Sequence, residues 1–349
     1  MKILILGGTG AMGVHVRQLL SEWGNEVVVT TRHARQSFHE IRYCVGNAKD
    51  PLFLSSLLNE HWDAILDFMV WSTEEFRDRY KSLLNATDQY IFTSSYRVYN
   101  DDDVITESSP RLLDTIDDEE YLKMDEYALA KARCENLLLN SGKLNWTIVR
   151  PAVTYDGSGR FQLTVLESNA WLWRAVQGIP VPLPDAVLDV QATMSWGGDV
   201  ARMIALLVGN KKAFGEIYTV STSEHMTWRE IGDLYRTVVP LKILSVPLSD
   251  FERAHSAVYQ IKYDRMFNRV IDNSKVLQAT GLHQEQLSEI HDKLPSELRA
   301  YLNNSQNNLT YNSAGAQGEY DRLVGGVPSL HHILAQGPIA IAKYVKHRI

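Results

Sequence analysis

A phenol and an ammonium four residues apart are the first groups that could do chemistry. Tyr127-Ala128-Leu129-Ala130-Lys131 sets Tyr127 and Lys131 at i and i+4, on one face of a helix. An ammonium beside a phenol favours the phenolate, so the pair suits proton exchange with a carbinol or carbonyl oxygen. The pattern is common, and a half-exposed tyrosine beside a solvated lysine would share it. A second signal is Gly7-Gly8-Thr9-Gly10-Ala11-Met12-Gly13. It stands between the apolar run Lys2–Leu6 and a helical pattern through Met12, Val16, Leu19, Leu20 and Trp23. Glycine is needed where a tight turn brings the backbone up to a pyrophosphate and packs a helix closely on its strand. The helix N-terminus then offers free N–H groups to the anion. Gly7, Thr9, Gly10, Ala11, Met12 and Gly13 are therefore candidate cofactor contacts. A nicotinamide held there would supply the hydride that complements the proton of Tyr127.

The elements that must position these groups follow from periodicity. Short β-branched runs at 2–6, 26–30, 64–70, 89–93 and 146–150 alternate with helical patterns, which predicts parallel strands joined by crossover helices. Beyond Pro151 the alternation weakens. Helical patterns run over about 199–208, 228–237 and 284–302, a further strand over 216–220, and a polar, Asn-rich stretch at 303–318 reads as a linker. Asp199 reads as the N-cap of its helix. Lys262, Arg265 and Arg269 share a helical face, solvated or turned to a diphosphate. Trp171 and Trp173 read as core or rim aromatics, and the apolar and basic segment 327–349 as packed against the body or a partner rather than a membrane.

Composition narrows the classes. The 349 residues carry 35 lysines and arginines against 42 aspartates and glutamates, a net charge of −7, which opposes a broad nucleic-acid footprint. Apolar residues make up 45% and charged residues 22%, a globular balance. Cys44 and Cys134 are too few for a disulfide framework, and His331-His332 has no third ligand, so no metal is expected. No apolar run reaches the roughly 18 residues of a membrane helix. The first apolar run stops at Gly7-Gly8, too early for a signal peptide. Asn-x-Ser/Thr matches at Asn85, Asn145, Asn303 and Asn308 are then chance, and a cytoplasmic protein is expected. No Gly-x-Ser-x-Gly elbow supports a serine hydrolase.

The spacing Gly7-x-x-Gly10-x-x-Gly13 resembles the short-chain dehydrogenase/reductase superfamily, in its extended branch of nucleotide-sugar epimerases and dehydratases. The run Tyr90-Ile91-Phe92-Thr93-Ser94-Ser95-Tyr96-Arg97-Val98-Tyr99 resembles that branch's signature, in which a serine four residues before a Val-Tyr tyrosine binds the reacting oxygen. That position is Ser95, with Ser94 as the alternative register. The resemblance covers roughly residues 1–280. It implies an α/β architecture, a Rossmann-type doubly wound parallel sheet with a smaller C-terminal α/β substrate domain. The expected division is 1–152 for the NAD(P)-binding domain with returning segments between 185 and 222, 153–302 mainly for substrate, and 303–349 as linker and tail. Ser95, Tyr127 and Lys131 are the implied catalytic residues, Lys131 also holding the nicotinamide ribose. Further implied coenzyme contacts are Asn47, in Gly46-Asn47 where the branch uses Gly-Asp, with Ala48, Phe68, Met69, Pro151 and Val153. The second strand ends Thr30-Thr31-Arg32, with no carboxylate for a ribose 2′-OH. Thr31 and Arg32 therefore favour NADP over NAD, although a loop arginine can simply be solvated.

Two departures refine the expectation. Dehydratases carry Asp-Glu where this chain has Tyr96-Arg97, and arginine is no base at neutral pH, so a 4,6-dehydratase is excluded. The segment 71–88 is short, and the helix that pairs subunits in the branch is reduced, leaving a homodimer open. The Thr-Arg strand end, Asn145-Trp146-Thr147 before Arg150-Pro151, and Gly215-Glu216-Ile217-Tyr218 also resemble the chloroplast stem-loop-binding proteins, an atypical subgroup. The expected function is NAD(P)-dependent epimerisation or reduction at a sugar hydroxyl or keto group, with a nucleotide sugar as the substrate. The alternative is a catalytically weak Rossmann-scaffold RNA-binding or regulatory protein. Retention of Tyr127 and Lys131 and the negative charge weigh against it.

Overall fold

Each apolar run of the first half becomes a strand of one seven-stranded parallel sheet in a computed structural model that describes residues 1–36, 41–304 and 309–349. The strands are β1 (Lys2–Leu6), β2 (Glu26–Thr31), β3 (Ile41–Val45), β4 (Trp62–Asp67), β5 (Thr87–Thr93), β6 (Trp146–Pro151) and β7 (Glu216–Val220). Their order across the sheet is β7-β6-β5-β4-β1-β2-β3. All six pairings are parallel. Helices on both faces explain why Ile3, Leu4, Ile5 and Leu6 are all buried without alternation. This is the doubly wound Rossmann arrangement. Its direction of winding reverses between β1 and β4, which opens a crevice at their carboxyl ends. Gly7 follows β1 there and Phe68 follows β4, since β4 ends at Asp67 rather than running to 70.

Three helices matter for the site: α1 (Ala11–Glu22), α2 (Tyr127–Leu139) and α3 (Gly197–Leu207). Asp199 does not cap α3. Trp196 holds the cap position, and Asp199 lies in the first turn, where its Oδ2 accepts from Ser288 N at 2.7 Å. The reason is that Gly197 and Gly198 already adopt helical geometry, so the helix begins two residues early.

The chain forms two compact units: Met1–Thr154 with Thr193–Glu224 and Val270–Ser288, and Tyr155–Ala192 with His225–Arg269 and Glu289–Ile349. Residues 270–288 thus return to the first unit. In the second, Lys262 is exposed, but Arg265 and Arg269 do not share a solvated helical face with it. A π-helix (Ile261–Arg265) buries Arg265 and Arg269 around the single carboxylate of Asp264, with Arg269 Nε 3.0 Å from Oδ1. The expected linker is also corrected. Ala314–Leu323 is a helix capped by Ser313, whose Oγ accepts from Ala316 N at 3.1 Å. A Cβ at Gly318 would fall 2.4 Å from Tyr344 O, so the glycines that look linker-like permit close helix packing. Buried Arg174 fastens this tail by an ion pair to Asp321 at 3.0 Å, and Asp321 also accepts from Tyr344 OH at 2.7 Å. The Asn308 match lies outside the described residues. Among the described residues no helix is long and apolar enough to cross a membrane.

Candidate active site

The glycine turn is built as the local chemistry requires. Gly7 has φ +73°, a left-handed conformation that side chains rarely tolerate. A Cβ on Gly13 would stand 2.6 Å from the Gly8 carbonyl carbon, so α1 packs directly on the turn. Gly10, the N-cap, has no atom within 4 Å of such a Cβ and no side-chain cap. Open space therefore lies over the uncapped N–H groups of α1, as a pyrophosphate needs.

These two glycines should separate experimentally. Gly13→Ala must push backbone apart and is expected to destabilise the fold by about 1–3 kcal/mol, lowering Tm as well as coenzyme binding. Gly10→Ala fills ligand space and is expected to weaken coenzyme at least tenfold while costing the fold only about 1 kcal/mol or less. Thermal melts and coenzyme titration of the two variants distinguish the roles.

A cleft of about 480 Å³ continues from the turn, lined by Gly7, Thr9, Thr31, Arg32, Asn47 and Ala48. Phe68 and Met69 form its opposite wall. Thr31 Oγ1 accepts from His33 N at 3.3 Å and donates to His33 O at 3.0 Å, which shapes the loop presenting Arg32. Arg32 and Arg35 are both exposed on that loop. Ala11, Met12 and Gly13 are at the start of α1 and do not line the cleft; Pro151 and Val153 lie beyond β5 and do not line it either.

Of the candidate proton-transfer groups, Lys131 reaches the cleft wall at Met69. Lys131 is only 2% exposed, and its Nζ donates to Met69 O at 3.0 Å and Thr93 O at 2.6 Å. An ammonium has three donors, so one remains beyond these two carbonyls. Nζ lies 5.9 Å from the Tyr127 ring centroid. Arg97 lies over the same ring at 5.2 Å and pairs with Glu126 at 2.6 Å. Glu126 is the N-cap of α2, accepting from Ala128 N at 2.7 Å and from Tyr121 OH at 2.9 Å. Arg97 thus braces the start of α2 through its N-cap residue. Ser95 follows β5, and its Oγ accepts from Arg97 N at 3.2 Å. Ser94 is differently engaged: its hydroxyl donates to buried Glu135 at 2.6 Å.

Glu135 belongs to a network that the sequence reading missed. Arg150 binds it through Nε at 2.8 Å and Nη2 at 2.6 Å, and Arg111 adds Nη1 at 3.1 Å. Burial alone would raise the Glu135 carboxyl, but the charge and hydrogen bonds of Arg150, with Ser94 and Arg111, hold it below the ordinary carboxylate range. A signal was present: Arg150 stands near the end of a mostly apolar strand, and a buried guanidinium requires a carboxylate. Lys131 and Glu135 are also spaced i, i+4. Among the described residues no group of three or more His, Cys, Asp or Glu side chains is placed to hold a metal ion.

Comparison with known proteins bears on the fold. Residues 7–170 match the family described as NAD(P)H-binding. The chain is 28% identical over 244 residues to the chloroplast stem-loop binding protein of 41 kDa b from Arabidopsis thaliana. That match spans 65% of this chain and 60% of the relative, so less than two thirds of the relative's length is covered. Among solved structures, an epimerase from Methanothermobacter thermautotrophicus superposes with a TM-score of 0.67 at 14% identity, covering 87% of this chain and 93% of that one. UDP-glucose 4-epimerase of Thermus thermophilus, solved with NAD, gives 0.62 at 18% identity, covering 87% and 100%. These likenesses establish the fold.

Proposed function

From a chain whose residues 7–170 match the family described as NAD(P)H-binding, we propose an NAD(P)-dependent epimerase or reductase acting on a sugar hydroxyl or keto group, with nucleotide sugars as the substrate class. The observation that carries the reading is the buried Lys131 ammonium. It joins the coenzyme cleft at Met69 to the strand that delivers Ser95, with the Tyr127 ring beside it. The glycine cradle and the open space over Gly10 fit a dinucleotide, which when bound supplies the hydride acceptor or donor. Gly7, Thr9, Asn47 and Met69 would hold it. Tyr127 gives or takes the proton at its phenolic oxygen, Lys131 stabilises the phenolate and uses its third N–H on the nicotinamide ribose, and Ser95 orients the reacting oxygen. The superposed UDP-glucose 4-epimerase supports the sugar-nucleotide class by fold alone.

Nucleotide released on denaturing freshly purified protein tests the reading. Stoichiometric NAD supports an epimerase, which keeps its coenzyme; empty protein that binds NADPH supports a reductase. The match to a stem-loop binding protein favours one other reading, an RNA binder on this scaffold. Protein that binds structured RNA and neither coenzyme would establish it. Coenzyme choice rests on Arg32, exposed at the rim of the cleft with no carboxylate at the end of β2. Arg32→Ala is expected to weaken NADPH about ten- to a hundredfold, the worth of roughly 1.5–3 kcal/mol of charged hydrogen bonding, while NADH changes less than twofold. Equal losses for both coenzymes would remove the 2′-phosphate from its role.

A further inference from the structure

Three donors converge on one buried carboxylate behind the coenzyme cleft. Asp67, the last residue of β4, is fully buried. Its Oδ1 accepts from Met69 N at 2.8 Å; its Oδ2 accepts from Trp71 Nε1 at 2.7 Å and from Tyr90 OH at 2.6 Å. The Tyr90 hydroxyl can reverse its role, but the two N–H donors cannot, and they address opposite oxygens. An asparagine in either orientation would therefore set its amide against one of them, and only an acceptor on both sides serves.

The same residue that Asp67 holds receives the lysine. Met69 gives its N–H to Asp67 and its carbonyl to Lys131 Nζ at 3.0 Å. The other carbonyl on Nζ, Thr93 O, comes from β5, the strand that Asp67 reaches through Tyr90. Both acceptors of the ammonium are thus tied to one carboxylate. Burial pushes the Asp67 carboxyl up, against the hydrogen bonds of Tyr90, Trp71 and Met69 and the positive charge of Lys131. A buried carboxyl group is a costly way to fill strand space, which points to a task for its two-sided acceptance.

We propose that Asp67 is a positioning residue for Lys131, fixing through Met69 and β5 the two carbonyls that aim the ammonium at the nicotinamide ribose. It touches neither coenzyme nor reacting atoms. The inference rests on the reading that Lys131 holds that ribose, and a double-mutant cycle read by NADPH fluorescence titration separates the two. Asp67→Asn is expected to weaken NADPH about tenfold, and Lys131→Met at least as much. The double variant should bind within twofold of Lys131→Met alone, because Asp67 acts through the lysine. Effects that multiply would make Asp67 a general structural residue and overturn the proposal, as would unchanged binding in Asp67→Asn. Wild-type NADPH binding in Lys131→Met would remove the ribose contact itself, and the proposal with it. Should Asp67→Asn fail to fold, Tyr90→Phe keeps the carboxylate and removes one donor. It is expected to show the same non-additivity at two- to threefold, and multiplying effects there would equally overturn the proposal.

Discussion

Tyr127→Phe is expected to lower turnover by about 10²–10⁴ while leaving NADPH binding within a few-fold and the melting curve unchanged. The size follows from the acid/base role proposed for the hydroxyl, on a ring with Arg97 above and Lys131 beside it. The selectivity follows from the contacts. The ring and its helix are anchored by Glu126 and by the buried Lys131, none of which needs the phenolic oxygen. Lys131→Met should instead lose both turnover and coenzyme affinity, because the roles proposed for its ammonium cover both. Steady-state rates beside a coenzyme titration make the comparison. Turnover that survives Tyr127→Phe would falsify its acid/base role and shift attention to Ser95.

The largest effect on stability is expected from Arg150→Met. The Arg150 and Glu135 side chains are 2% and 0% exposed and joined by two hydrogen bonds. Removing one member of a buried pair typically costs about 3–5 kcal/mol, because the remaining charge has no water to turn to. For a unit of this size that lowers Tm by roughly 6–20 °C. Arg111 and Ser94 still face the carboxylate, which favours the lower end. The pH dependence has a defined sign. Glu135 titrates lower in the folded protein than unfolded, so its contribution is complete above the ordinary carboxylate range and is lost as pH falls through its folded value. Thermal melts of the wild type and Glu135→Gln should therefore differ most near neutrality and converge in acid, below about pH 4. A gap that widens in acid would mean that the carboxyl is protonated in the native fold. Because Ser94 is bound into this network beside Ser95, the same variants should also lower turnover beyond what their melts explain.

Much of the site was legible before any fold was known, and the reason is locality. The glycine turn, the Tyr127–Lys131 spacing and the alternation of strands are patterns within a few residues, governed by turn sterics and the 3.6-residue helical period. They determined the Rossmann class, the placement of the coenzyme cleft and the candidate proton-transfer pair. The buried acidic residues near the pair were not legible, because their partners are distant in the chain. Lys131 meets carbonyls 62 and 38 residues away. Asp67 takes the hydroxyl of Tyr90 from the neighbouring strand, and Glu135 takes Arg150 from β6. Which of Ser94 and Ser95 is engaged by Glu135 was likewise decided only when α2 packed on β5. The tail shows the same division: Gly315 and Gly318 read as linker residues until a second helix is laid against them. Sequence by itself determined which groups the chain owns and their local geometry; tertiary packing decided which of them are charged, buried and aimed, since those properties depend on what is removed from water and what stands opposite.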